Sequence, residues 1–335
     1  MKEIQCKNKK LLKPLRQALY NFDAKAVLAE LNNIIAPDAL VQLCYPFETM
    51  HGAQKFYDIA YKSLVKAIPD LECRDTIMMS GKSDDGSHWV GYCGYYTGSF
   101  EKDWLDIPAT GHQVSMRFHE FYRIENDLVV EIQALWDIPE VMLQAKAWPM
   151  VPSLGREWHV PAPATQDGLR IESDTQQAAI SAKLVSDMCD SLGHYATGGV
   201  DAMKLEKYWH PRCNWYGPSG IGTARGIAGF RHWHQIPFLN GMPNREGDVD
   251  KGYLIGDGNY VGFTAWPGMQ MTISNDGWLG IAPANQKITM RSLDFWRCEK
   301  GLIRENWVLV DLLHVYHQLG VDVLGRMREF NKARR

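Results

Sequence analysis

The chain has 335 residues, enough for two domains with separate cores. A hydrophobic share of 45% and a charged share of 22% are those of a water-soluble folded protein, and a net charge of −3 without any basic run argues against nucleic acid as a partner. No apolar run approaches the ~20 residues of a membrane span, the N-terminus lacks the apolar centre of a signal peptide, and seven scattered cysteines without CxxC spacing read as the reduced thiols of a cytoplasmic protein.

Residues 1–10 read as a loosely docked tail. The spacing of Leu15, Leu19, Phe22, Val27, Leu31 and Ile34 predicts helix over 11–35, broken where Asp23 caps a second helix. Pro37 ends that region, 39–45 reads as a strand, 48–52 as a turn and 54–67 as a helix stopped before Pro69. Strands are predicted over 77–80, 88–100, 114–124 and 128–136, the last ending on Asp137. The segment 148–168 carries Pro149, Pro152, Pro161 and Pro163 and reads as a stiff linker or a strap on a domain surface. Helical spacing restarts over 175–191 and 201–209, followed by a strand at 213–216 and a helix at 226–238. Strands follow at 253–255 and 260–266, with a loop over 269–284. Two further strands, 290–298 and 302–310, flank a turn at Glu299-Lys300-Gly301, and a helix over 312–319 is closed by Gly320. Gly256-Asp257-Gly258-Asn259 is a hairpin turn, lacking the strand–turn–helix setting of a phosphate loop.

The second half repeats the first. Adding 174 carries Met116, Arg117, Glu120, Phe121 and Arg123 to Met290, Arg291, Asp294, Phe295 and Arg297. The same offset carries Asp137 to Asp311 and Gln144 to Gln318, and upstream Pro37, Gly52, Phe56 and Pro69 to Pro211, Gly226, Phe230 and Pro243. A single ungapped offset over that distance marks a tandem duplication of one domain. The expected division is a first domain over 1–147, a linker over 148–173 and a second domain over 174–335. Each copy runs helices first and antiparallel strands after, which implies an α+β architecture in which helices cover one face of a curved sheet. A hollow between sheet and helices is a usual place for a small-molecule pocket.

Trp209-His210-Pro211, Trp215-Tyr216-Gly217-Pro218, Gly226-Ile227-Ala228-Gly229-Phe230, His234-Gln235-Ile236-Pro237-Phe238, Phe295-Trp296-Arg297, Asp311 and Gln318-Leu319-Gly320 together resemble the SnoaL-like polyketide cyclase family of the nuclear transport factor 2-like superfamily. The first copy resembles it more weakly, with Ala36-Pro37 in place of His-Pro and Tyr57-Asp58-Ile59 in place of the His-containing helix. The resemblance implies two cone-shaped α+β domains and acid/base chemistry without metal or organic cofactor. It also implies an internal pseudo-dimer or a homodimer, and it places the carboxylate for proton transfer at Asp311, matched by Asp137 in the first copy. It further sets the helix of His234 over the pocket.

On a strand, Asp311 shares a face with Leu309, Trp307 and Glu305, and Asp137 shares one with Leu135, Gln133 and Glu131. Were that face to line the hollow, burial would raise each carboxyl toward working pH, as general acid/base work on a carbonyl compound requires. Tyr216, His234 and Trp215 are candidate oxyanion donors in the second copy, and Tyr45, Tyr92 and His119 in the first; Trp307 and Gln133 would line the two pockets. The plainer reading makes Asp311 and Asp137 caps of the closing helices. The pairs His232/His234 and His314/His317 lack a third ligand at a supporting spacing, so no metal is expected. The repeated Arg117/Arg291 and Arg123/Arg297 are surface ion-pair partners or a substrate-carboxylate anchor. The function expected is a cofactor-free cyclase, isomerase or hydrolase of a small carbonyl or cyclic compound; the competing class is a non-catalytic binder of such a molecule.

Overall fold

The computed structural model describes residues 2–247 and 252–332. The chain forms two compact units, one of Met1–Pro149, Ala162–Ser173 and Asp322–Arg335, the other of Met150–Pro161 and Asp174–Val321. Each is a cone-like α+β domain, and the two repeat one another.

In the first unit, helices α1 (Lys2–Tyr20) and α2 (Ala24–Ile34) meet at Asp23, whose carboxylate accepts the Ala26 N–H at 2.8 Å and caps α2. Residues 2–10 are not a loose tail: they form the first turns of α1, with Gln5, Asn8 and Lys9 buried. The physical reason is a set of hydrogen bonds the sequence does not announce. Lys9 Nζ donates to the Arg170 carbonyl at 2.8 Å and to Ser173 Oγ at 3.2 Å, and Cys6 Sγ donates to the Ile171 carbonyl at 3.3 Å. Strand β1 (Ile35–Leu43) follows, then β2 (Glu48–His51), so residues predicted as a turn pair as an edge strand. Helix α3 (Gly52–Phe56), a π-helical turn (Tyr57–Tyr61) and α4 (Lys62–Ala67) form one continuous helical run. Strands β3 (Glu72–Lys82), β4 (His88–Ser99), β5 (Gln113–Glu125) and β6 (Leu128–Trp136) complete a sheet of order β2-β1-β6-β5-β4-β3, closed by α5 (Ile138–Gln144).

The second unit repeats this with α6 (Thr175–Leu192), α7 (Tyr195–Ala202), β7 (Trp209–Tyr216), β8 (Thr223–Arg225), α8 (Gly226–Phe230), a π-helical turn (Arg231–Gln235) and α9 (Ile236–Gly241). Then come the short β9 (Glu246–Gly247), β10 (Gly252–Asp257), β11 (Tyr260–Thr272), β12 (Lys287–Glu299), β13 (Leu302–Val310) and α10 (Leu312–Gln318). The sheet order is β10-β11-β12-β13-β7-β8, with β9 against β11. Strand β11 runs on to Thr272 through an irregularity between Ala265 and Met269, taking residues expected as loop into the sheet. The last helix, α11 (Val323–Lys332), belongs to the first unit, where Arg328 pairs with Asp106 at 3.1 Å.

The sequence offset has a structural counterpart in the hairpins and their closing helices. Asn126 and Asp127 take positive φ in one hairpin turn, and Lys300 and Gly301 do so in the other, the twist-compatible form for two-residue turns. Gln144 clasps the backbone of Ser115 through both ends of its amide (3.0 and 2.6 Å), and Gln318 clasps Thr289 in the same way (2.9 and 2.8 Å). Two amide contacts per clasp, one accepted and one donated, explain why glutamine stands at both positions.

Both halves of the proline-rich segment behave as straps. In the first unit the Gly168 carbonyl accepts the Met78 N–H at 2.7 Å. In the second, Arg156 and Thr223 exchange two backbone hydrogen bonds of 2.9 Å each beside the edge strand β8, and Trp307 Nε1 donates to the Pro161 carbonyl at 3.1 Å. The strap passes so close that a Cβ on Gly222 (φ +88°) would lie 2.5 Å from the Gly155 carbonyl carbon. Gly222→Ala is therefore expected to cost about 3 kcal/mol, against about 1 kcal/mol for Gly258→Ala, whose positive φ (+58°) faces open space. Urea denaturation of the two variants checks this; equal losses would show that the strap does not bear on the sheet edge.

Candidate functional site

Strand pairing decides which side chains face the covering helices. In the first unit Arg16 of α1 reaches Glu120 and Tyr122, so the face of β5 that carries them is the covered, inner one. In the second unit Asp294 is opposite Val308, Trp296 is opposite Asn306, and Asn306 is opposite Trp215. Residues directly opposite one another point to the same side of a sheet, so Asp294, Trp296 and Trp215 share a face. Helix α6 covers that face, since Cys298 Sγ is hydrogen-bonded to Ser181 and Cys189 lies within electrostatic reach of Asp294. Tyr216, opposite Trp307 and Phe295, lies on the other face.

The inner face of the first unit is filled. Glu120 Oε1 accepts from Tyr96 Oη at 2.7 Å and from Trp136 Nε1 at 3.1 Å; Oε2 accepts from Arg16 at 2.8 Å and from Tyr122 Oη at 2.7 Å. Arg16 also pairs with Asp75 and lies over the rings of Tyr92 (4.5 Å) and Phe118 (5.1 Å). Tyr61 Oη is 3.1 Å from Tyr96 Oη. Glu120, Tyr61, Tyr92, Tyr96 and Phe118 are all buried. The acids around it hold the Arg16 guanidinium in its charged form against its burial.

The inner face of the second unit has the same acid position and none of those partners. Asp294 takes the register of Glu120, with Trp296 where Tyr122 stands and Val310 where Trp136 stands. It receives one hydrogen bond, from Ser292 Oγ at 3.1 Å, and Asp294 Oδ1 is buried without a partner. Burial pushes the carboxyl up to about 7, opposed only by that bond. His234 lies in the π-helical turn of the covering helix, a local widening that recurs at functional sites. Its ring stacks on Trp215 at 3.8 Å and 13°, and Nδ1 is buried and unpartnered. Burial, and secondarily the charge of Arg245, pushes the imidazole down to about 3, so it is neutral at working pH. Arg245 Nη2 donates to the Leu192 carbonyl at 3.2 Å, while its Nε, like Trp296 Nε1, is buried without a partner. Cys189 completes the set, its thiol pushed up to about 12 by burial and by Asp294.

Asp294, His234 and Arg245 are only half-buried and Cys189 is exposed by surface area, yet loss of bulk water dominates the ionisation of all four. A shallow depression of about 330 Å³ between Trp209 and α8 is separate from this set and is bordered by the Arg231–Glu206 ion pair at 3.0 Å.

Of the residues chosen from sequence, the structure brings His234 and Trp215 together on the inner side and puts Tyr92 on the inner face of the first unit. Asp311 caps α10 through the His314 N–H (3.1 Å) and pairs with Arg291 at 3.0 Å. Asp137 lies 3.7 Å from Arg117. On the outer faces, Tyr216 Oη donates to Glu305 at 3.1 Å, Arg297 Nε donates to Glu305 at 2.6 Å, Trp307 holds the strap, and Gln133 Nε2 donates to Glu131 at 2.8 Å. His119 is buried opposite Leu135 on the outer face, and Tyr45 is half-buried beyond β1. Among the described residues, no three His, Cys, Asp or Glu side chains gather as a metal site; His314 Nδ1 lies 3.2 Å from Gln318 Nε2. Asp294, Arg245, Cys189 and Trp296 were not singled out from sequence. The pair Glu120/Asp294 was visible in the repeat as an acid kept at one register, and that was the available signal for Asp294. Arg245 follows Pro243 in a stretch without periodicity and offered none.

Two outcomes follow. Arg16→Met strands Glu120 and Asp75 in the first unit and is expected to cost about 3–5 kcal/mol, read by urea denaturation at pH 7. For Asp294 the sign runs the other way. A carboxyl whose folded pKa lies near 7 binds more protons folded than unfolded, so its contribution weakens as pH rises from ~4 to ~7. Asp294→Asn is expected to stabilise the protein at pH 8, by up to about 4 kcal/mol, and to lose that advantage by pH 4. Denaturation curves at the two pH values test this, and an Asn variant less stable than wild type at pH 8 would contradict it.

The profile of the SnoaL-like polyketide cyclase family matches residues 14–145 and again 197–319. No curated protein matches the chain. Among solved structures it is similar to AclR from Streptomyces galilaeus (18% identity, 44% of this chain and 86% of that one, TM-score 0.36). It is also similar to IdmH from Streptomyces antibioticus (17%, 42% and 98%, TM-score 0.35) and to a SnoaL-like protein from Jannaschia sp. CCS1 (18%, 42% and 91%, TM-score 0.35). With the family profile matched once in each unit and the fold repeated with it, the chain belongs to the SnoaL-like polyketide cyclase family as a tandem duplication.

Proposed function

We propose that the second unit is a cofactor-free acid/base catalyst acting on a small carbonyl compound, with Asp294 exchanging the proton. The observation that carries this reading is the pair of environments at one register: Glu120 has four hydrogen-bond donors, while Asp294 has one and keeps Oδ1 without a partner. A carboxyl near 7 is divided between acid and base at neutral pH, the condition under which it can both take and return a proton. As carboxylate, Asp294 removes a proton from the carbon beside a ketone. The enolate oxygen is stabilised by N–H donors that do not themselves ionise, neutral His234 and Trp296 Nε1. In a cyclisation, the enolate carbon bonds to a second carbonyl carbon and the resulting alkoxide takes the proton back from Asp294. The sequence is redox-neutral, and the proton removed is the proton returned. The stacked Trp215 fixes the plane of His234 and offers a flat apolar wall.

The first unit is proposed as a structural copy. Ala60 stands where His234 does and Val41 where Trp215 does, and Arg16 occupies the interior.

The test is exchange of the methyl protons of acetophenone in heavy water, followed by proton NMR. Wild type is expected to exchange them with a rate that rises with pH through about 7. Asp294→Asn is expected to lower that rate about 10²- to 10⁴-fold. A greater loss in Asp311→Asn than in Asp294→Asn would overturn the assignment, and acetophenone bound without exchange would mark the pocket as a binder.

A further inference from the structure

Among the described residues, the site holds a cation without a counter-charge. Arg245 makes one side-chain hydrogen bond, to the uncharged Leu192 carbonyl, and its Nε is buried with no partner. No carboxylate among the described residues lies within ion-pair distance of it. Other deeply placed arginines of the chain are paired: Arg16 with Asp75 and Glu120, Arg117 with Asp137, Arg291 with Asp311, Arg297 with Glu305. A guanidinium remains charged in any protein setting, so it must be neutralised or bear the cost of desolvation. The Phe238 ring, 6.0 Å from its Cζ, offers only a weak cation–π contact. The group lies beside the site: its Cζ is 6.0 Å from the Phe238 ring, whose centroid is 5.4 Å from that of His234.

We infer that the substrate of the second unit carries a carboxylate and that Arg245 binds it. The inference rests on the acid/base reading for the reacting end and adds the substrate's other end. The carboxylate supplies acceptors for the free Nε and the guanidinium beside it, an arrangement in which charge-assisted hydrogen bonds are strongest. The carbonyl of the same molecule then extends toward Asp294 and His234. Arg245 is a specificity residue under this assignment, since it sets which molecule enters and leaves the proton transfer to Asp294.

The experiment compares 4-acetylbenzoate with its methyl ester, two probes of one shape that differ in charge. Methyl-proton exchange in heavy water gives KM and kcat for each, and calorimetric titration gives binding whether or not exchange occurs. Wild type is expected to favour the acid by about tenfold or more in KM and in Kd, and Arg245→Met to bring both ratios to about one. Arg245→Lys, which keeps the charge without the planar fork, should retain part of the preference. Asp294→Asn separates the two readings: it should abolish exchange while the acid is still bound more tightly than the ester. Acid-selective binding that depends on Arg245, with no exchange in wild type, sinks the acid/base reading and keeps this one. An unchanged acid-to-ester ratio in Arg245→Met overturns the inference, as does failure of wild type to bind the acid.

Discussion

Burying a carboxylate costs several kcal/mol unless hydrogen bonds or a counter-charge replace the water it loses, and each of the two sheets puts an acid on its covered face. At Glu120 the loss is made good by a guanidinium, two phenols and an indole. At Asp294 it is made good by a serine hydroxyl alone. The backbone that carries these acids is the same in both units, down to the register of the flanking strands. What differs is the identity of a few side chains around them. Those side chains decide that one acid sits in a packed polar core and the other keeps an oxygen without a partner. The fold supplies the position, and the chemistry follows from what is left out around it.

Duplication makes that difference tolerable. A single cone that strips its inner acid of partners loses stability at the place where its helices meet its sheet. In this chain the first unit keeps its inner acid fully bonded, and strap segments tie down both units: Lys9 on the carbonyl of Arg170 in one, Arg156 on Thr223 in the other. In the second unit Asp294 and His234 are desolvated with Oδ1 and Nδ1 lacking partners. On the proposed reading, stability and reactivity, which compete for the same side chains in one domain, are divided between two copies.

Much of this was legible in the sequence. The duplication, the hairpins around Asn126-Asp127 and Lys300-Gly301, and the α+β order follow from offset, periodicity and turn chemistry. The direction of each strand face was harder to read. Alternation groups Asp311 with Leu309, Trp307 and Glu305, and separately groups Asp294 with Ser292 and Trp296, but it does not say which group meets the helices. In an open antiparallel sheet the apolar face answers that question. Here both faces of β12 and β13 are largely buried, so both groups look apolar enough to line a pocket. Three of the outer-face groups, Glu305, Arg297 and Trp307, also satisfy one another and the strap, and no local pattern announces that a remote segment will lie on them. The docked start of α1 escaped for the same reason, since the acceptors of Lys9 lie more than 160 residues away in sequence. His234 was reachable because it follows a helical repeat, and Arg245 was not because it follows a proline in irregular chain.

One environment sets three ionisation states in the second unit, and they fit together. Removing bulk water raises the Asp294 carboxyl toward neutrality and lowers the His234 imidazole well below it. The same change makes both groups less charged than they would be in solvent. Arg245 is the group that cannot respond in this way, because a guanidinium does not give up its proton at any working pH. The inner side of the second unit therefore holds a near-neutral acid, a neutral imidazole and a fixed positive charge. On the proposed reading, an anionic substrate would balance that charge before any proton moves.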